Sequence, residues 1–567
     1  MIFAKRVRRF FRRARFSFGV PWAGARRCTG ACGTFRLSRV SLFLLLAAAI
    51  SSCSPTEPPA DLTIINSLEP ESLDPAIITA QADSRIVLGI FEGLTRLEPV
   101  AARAVPGLAE RWDISPDGKT YTFHLRTNLL WSTGEPITAD DVVYSWLREL
   151  DPATASEYAG QLYYVKNGED FNTGKVTNSS LVGVHALDRF TVRVELNHPT
   201  LFFLDICAMP LTLVVPRQTI EKYGDQWLNV RPLPVSGPYE ITDWRINDRV
   251  RLKKNPRYWD AANTQSGIID ILPVGTPNTA LSLYDRGQAD IVWDKELIPT
   301  ELMDVLVKRP DFHRFTMLGT YFFRFNVTRK PFDDPRVRRA LALAVDKERL
   351  VKKITRSGEM PTSHFVPPGT ANYESPEGLG FNPDEARKLL AEAGFPGGKG
   401  FPRFEYLFDQ GASGTKIHED IAVELQQMWH DELGINMDLR QIETQVFWGT
   451  QSRMEYTLSR SSWIGDYNDA NTFLGMFLTG DGNNETGWSN SRYDELVHDA
   501  NETTDPLARE KMFQAAETIL VRDEVPIVPL YIYVGVNYFD TNKISGIWQN
   551  VLDDHPLRTI RKLKAKP

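Results

Sequence analysis

Residues 106–150 read PGLAERWDISPDGKTYTFHLRTNLLWSTGEPITADDVVYSWLREL. Tyr121, Phe123 and Leu125 alternate as on a half-buried strand, with SPDG before them as a turn. Thr138 followed by Asp141 is a variant capping box, and it predicts a helix over ADDVVYSWLREL. Strand and helix thus stand within one stretch of 45 residues.

The same alternation continues outward. LTIINS at 62–67 and RFEYLF at 403–408 read as strands, whereas DPRVRRALALAVDKERLVKKI at 334–354 and NPDEARKLLAEAGF at 382–395 have helical period. No internal repeat interrupts them. A chain of 567 residues with 42% hydrophobic, 11% aromatic and 24% charged residues is globular and long enough for several domains. An α/β class follows from this mixture.

Residues 1–52 stand apart. They hold eleven Lys and Arg, no Asp or Glu, and the apolar run LFLLLAAAI at 42–50, the order of an export signal. Nine apolar residues are under half of the roughly 20 that span a bilayer, so a permanent anchor helix is not expected. Ile50, Ser51, Ser52 and Cys53 resemble a lipobox, which makes Cys53 the expected lipidation site. Ordinary cleavage to a free periplasmic protein is the alternative. SPTEPPA at 54–60 is a Pro-rich tether.

Beyond residue 52 the net charge is about −18, since all 72 Asp and Glu but only 54 of 65 Lys and Arg lie there. A surface this acidic excludes non-specific nucleic-acid binding. Cys207, in LDICAMPLTLVVP, reads as a buried inert thiol. No disulfide framework or zinc site can be built, and no GxSxG, HExxH or CxxC motif is present. The GASGTK run at 411–416 has the wrong spacing for a phosphate loop. No metal, cofactor or enzymatic activity is expected.

The order LAERW, DG, YTFHLR, WSTGEPITADDVVYSW resembles the signature region of the large peptide-type solute-binding proteins of ABC importers, and the oligopeptide receptors among them most closely. SLDPA at 72–76, IFEGL at 90–94, PVSGPYEITDW at 234–244, NPRYWD at 255–260, NVTRKPFDDPRVRRALALAVD at 326–346 and VPIVPLYIYV at 525–534 fall in the same order as in that family. The likeness covers about 62–560.

The resemblance implies a bilobal α/β periplasmic binding protein of class II, a Venus-flytrap with an extra inserted domain. One lobe would combine 62–91, 226–318 and 535–567 with an inserted domain at 92–225, and the other would be 319–534. A hinge crossing is expected between Leu318 and Thr320. The implied function is capture of short peptides, as a monomer, for an inner-membrane ABC permease. A receptor of the same fold for another solute, or a sensor, is the alternative.

In RSSWIGDYNDANTF, 460–473, Arg460, Trp463, Asp466, Tyr467 and Asn468 match the family position by position. The match gives Asp466 to the peptide's α-amino group, and Arg460 and His418 to its carboxylate. By itself the DYND run is equally well a solvated loop tip. Arg460 could instead tie its lobe together, and His418 could be a plain exposed residue. Trp463 and Tyr158 are expected pocket walls, with core packing as their alternative. Ile464 joins the ligand-binding set; it and Gly319 stand where enteric receptors have two paired cysteines. Thr444 replaces a pocket Trp, and Thr355 replaces a basic residue.

Overall fold

The computed structural model describes residues 57–411 and 416–564. The export segment 1–52 and Cys53 lie outside the described residues, as do 412–415 of the GASGTK run.

Fourteen strands carry the architecture. They are β1 Leu62–Ile65, β2 Ala109–Ile114, β3 Thr120–Leu125, β4 Val184–Asp188, β5 Thr191–Glu195, β6 Tyr239–Arg245, β7 Arg249–Lys254, β8 Ile268–Leu272, β9 Ile291–Trp293, β10 Phe312–Phe325, β11 Phe404–Asp409, β12 Met437–Ile442, β13 Leu458–Ile464 and β14 Ile527–Phe539. Strands β2 to β5 make a separate sheet in the order β2-β3-β5-β4. The other ten run β12-β11-β13-β10-β14-β9-β1-β8-β7-β6 in one eleven-stranded sheet, whose last member is the short Met360–Pro361 pairing β14.

That sheet is two parallel cores joined by an antiparallel seam. In one core β1 lies parallel between β8 and β9, and in the other β11 lies parallel between β12 and β13. The seam is β10 against β14, of 14 and 13 residues. Its register breaks in the middle. Thr316 faces Val534 but Thr320 faces Ile532, so Met317, Leu318 and Gly319 bulge out. The bulged backbone is satisfied elsewhere: Leu318 N–H donates to Val551 O at 2.6 Å, and Leu318 O accepts from Gly465 N–H at 2.7 Å.

The opening stretch folds as its pattern dictates. On β3, Tyr121, Phe123 and Leu125 are buried while Thr120, Thr122 and His124 are partly exposed. Helix α1 is Gln81–Ile90, and α2, Ala139–Leu150, is the helix predicted in the opening stretch. At its start the Thr138 N–H and hydroxyl donate to the Asp141 carboxylate at 2.8 and 3.0 Å. Val142, Trp146 and Leu150 share its buried face, and the Trp146 indole N–H donates to Thr212 O at 3.0 Å.

One helical expectation needs correction. The run 334–354 is not continuous: α3 is Pro335–Leu343, the chain leaves helix at Ala344–Asp346, and α4 is Lys347–Leu350 with a wide turn at 351–355. Asp346 causes the break by capping, since its carboxylate accepts from Arg349 N–H at 2.9 Å. The freed Leu343 carbonyl accepts from Asn382 N–H at 2.8 Å, and Asn382 itself caps α5, Pro383–Glu392. Apolar period alone does not show such a break, because both pieces contribute to one core: Val337, Ala340 and Leu341 pack in the same cluster as Leu350.

Candidate functional site

Gly465 fixes the turn after β13. Its N–H is held by the Leu318 carbonyl, and a Cβ there would lie 3.0 Å from the Phe473 ring. Asp466 follows, with its N–H donating to Thr472 Oγ1 at 3.2 Å. The Asp466 carboxylate faces a cavity of about 480 Å³. Its Oδ2 accepts from the Gln161 amide at 2.9 Å, and among the described residues no cation lies within salt-bridge distance of it. Burial pushes its pKa up to about 7, against the opposing pull of Gln161.

Tyr158, Trp463 and Ile464 line the same cavity. Apolar wall comes from Ile78, Leu88, Met209, Leu211 and Leu213, and polar wall from Glu92, Arg96, Asp205 and Arg558. Burial raises Asp205 to about 6, although its carboxylate accepts from Ala104 N–H at 2.9 Å. Arg96 is bound to Asp260 at 2.9 Å. Arg558 differs: among the described residues no carboxylate stands within 4 Å of its guanidinium, and burial followed by the charge of Arg96 lowers its pKa.

Contacts from the β2–β5 unit cross to the segment after β13. Tyr467 stacks on Phe202, with ring centroids 4.3 Å apart and planes 4° from parallel. The Asn471 amide donates to Tyr164 Oη at 3.1 Å and Tyr467 Oη at 3.0 Å. The cavity is therefore walled by both units at once.

Arg460 and His418 are brought together, but elsewhere. Arg460 lies on β13 opposite Phe323 and is 5% exposed. Its Nε donates to Asp409 Oδ1 at 2.7 Å and its Nη2 reaches the same oxygen at 2.5 Å, while the rings of Phe447 and Trp448 sit over the guanidinium. His418 Nε2 is 3.8 Å from that oxygen, and its ring stacks on Tyr321, whose hydroxyl is 3.1 Å from Nδ1. Burial and then the Arg460 charge push the imidazole down to about 3, so it is neutral. Neither residue lines the cavity. The reading of His418 as a plain exposed residue is thus corrected: the start of the helix Ile417–Leu433 packs it against Tyr321 and Asp409.

Gly319 and Ile464 face each other directly in the β10–β13 register. A Cβ on Gly319 would come 2.5 Å from Ile464 Cδ1, so the larger side chain occupies the room of the missing one. Gln161, Asp205 and Arg558 escaped the sequence reading. Gln161 had one available signal, its position three residues after Tyr158 in one helical turn.

The family model for bacterial extracellular solute-binding proteins, family 5 Middle, matches residues 103–485. The periplasmic oligopeptide-binding protein OppA of Salmonella typhimurium is 35% identical over 480 residues, covering 83% of this chain and 86% of that one. A periplasmic oligopeptide-binding protein of Borrelia burgdorferi, OppAIV, has a crystal structure that superposes with a TM-score of 0.77 at 32% identity, over 89% of this chain and all of that one. Haemophilus influenzae OppA in complex with RPPGFSPFR gives a TM-score of 0.74 at 29% identity, over 90% and 100%.

Proposed function

The chain belongs to the bacterial extracellular solute-binding proteins of family 5, and from that premise we propose that its cavity captures short peptides by their free amino end for delivery to a membrane permease. The observation that supports this most is Asp466: a carboxylate facing a cavity of about 480 Å³, with one amide donor and no cation at salt-bridge distance among the described residues.

An ammonium enclosed without a partner costs several kcal/mol, whereas a charge-assisted hydrogen bond to a carboxylate contributes about 1.5–3 kcal/mol net. The bond therefore selects free amines. Ligand backbone is satisfied by strand-like pairing inside the cleft, and side chains pack on Tyr158, Trp463 and Ile464. Arg460 and His418 contribute to carboxylate recognition only for ligands long enough to reach the Asp409 cluster, where Arg460 would be shared and His418 would act as a neutral hydrogen-bonding ring.

Leu318/Gly319 and Val534/Gly535, at the bulge in the seam, are the proposed crossings between the lobes. The inserted domain is the unit around β2–β5. Cys53 is proposed to tether the protein to the envelope, and relatives named periplasmic support that location.

Isothermal titration with trialanine and its N-acetylated form tests the reading. The free amine should bind at least tenfold more tightly. Equal affinities would remove the ammonium role from Asp466.

A further inference from the structure

Asp466 has two carboxylate oxygens, and they have different surroundings. Oδ2 accepts from Gln161 Nε2 at 2.9 Å, while no described residue donates to Oδ1. Gln161 does not line the cavity although Tyr158, three residues earlier, does. It reaches the carboxylate without itself belonging to the cavity wall.

The two partners are 305 residues apart. Gln161 sits in the short helical turn Ala159–Leu162, packed with the β2–β5 unit, whereas Asp466 sits on the turn after β13 of the large sheet. Their bond spans the two bodies that wall the cavity. Resting on the peptide reading above, we infer that Gln161 is a positioning residue of the ammonium site: it fixes Oδ2, leaves Oδ1 for the ligand, and does so only while the cleft is shut.

A buried carboxylate is easier to ionise when an N–H donates to it. Among the described residues Gln161 supplies the only side-chain donor to Asp466; Glu92, Arg96, Asp205 and Arg558 line the same cavity from other elements, and the titratable groups next to this carboxylate on the Gln161 side are Tyr158 and Tyr164. Both are phenols whose pKa is raised by burial, so neither carries charge near neutral pH. The ionised, ammonium-binding form of Asp466 is therefore favoured where Gln161 can reach it. Amine recognition and closure become one event, with the second half of the recognition device delivered by the moving wall.

The test is isothermal titration of wild type, Gln161→Leu and Gln161→Ala with trialanine and N-acetyl-trialanine between pH 5.5 and 8, after thermal melts establish that each variant folds. Both variants should bind trialanine about ten- to a hundredfold more weakly, the range of a hydrogen bond to a charged group. N-acetyl-trialanine should change by less than twofold, and the rise of trialanine affinity with pH should move to higher pH. A role in packing or closure alone would weaken both ligands equally and leave the pH profile in place. That result overturns the inference, as does unchanged trialanine binding. A wild type blind to acetylation overturns the ammonium reading and this inference with it, whereas a discriminating wild type with equally discriminating variants overturns only the latter.

Discussion

Asp466 is an acid held where acids are costly. Its pKa of about 7 lies above the roughly 3.9 of an unfolded chain, so between those values the empty native protein holds a proton that the unfolded chain has lost. This group's share of stability is thus full below about pH 4 and disappears as pH rises through 7. In the proposed binding mode the preference reverses, because an ammonium partner would favour the carboxylate. At pH 6, binding of a free-amine tripeptide should release most of one proton, read as buffer-dependent heat in titration calorimetry. Asp466→Asn should abolish that release and weaken binding by about 2 kcal/mol, the share of a charge-assisted bond. Unchanged affinity would return Asp466 to the loop-tip reading.

Among the elements, the bulge in the β10–β14 seam does two things. It breaks the ladder where the two parallel cores meet, and it supplies the carbonyl that holds Gly465. The turn that aims Asp466 is therefore clamped to the seam. Gly319 is part of the same bulge, and Ile464 opposite it already fills the space. Gly319→Ala should lower stability by about 1–3 kcal/mol, as overpacking does, and a second change Ile464→Val should recover part of the loss in chemical denaturation. A fully additive double mutant would show that the two positions do not share that space.

Over the whole molecule, the units around β2–β5 and β13 meet through Tyr467, which stacks on Phe202. Tyr467→Leu should weaken free and N-acetylated peptides alike, by roughly 0.5–1.5 kcal/mol for the lost ring pair, because it acts on closure rather than on the amine. Different losses for the two ligands would tie Tyr467 to recognition instead. Much of this organisation is legible in the chain: β3 from its alternation, α2 from Thr138 and Asp141, and Asp466 from the match of its neighbours to the family. The break at Asp346 and the Gln161 contact are not. One depends on a cap competing with helical period, and the other on two residues 305 apart that only the folded cleft brings together.

Cys207 is the single cysteine among the described residues, fully buried, with its thiol pKa raised well above the ordinary range. The place across β10 and β13 where a covalent link could stand is filled by Gly319 and Ile464. The described body can accordingly mature without a thiol oxidant, and reductants or alkylating agents should leave its fold and its ligand capture untouched.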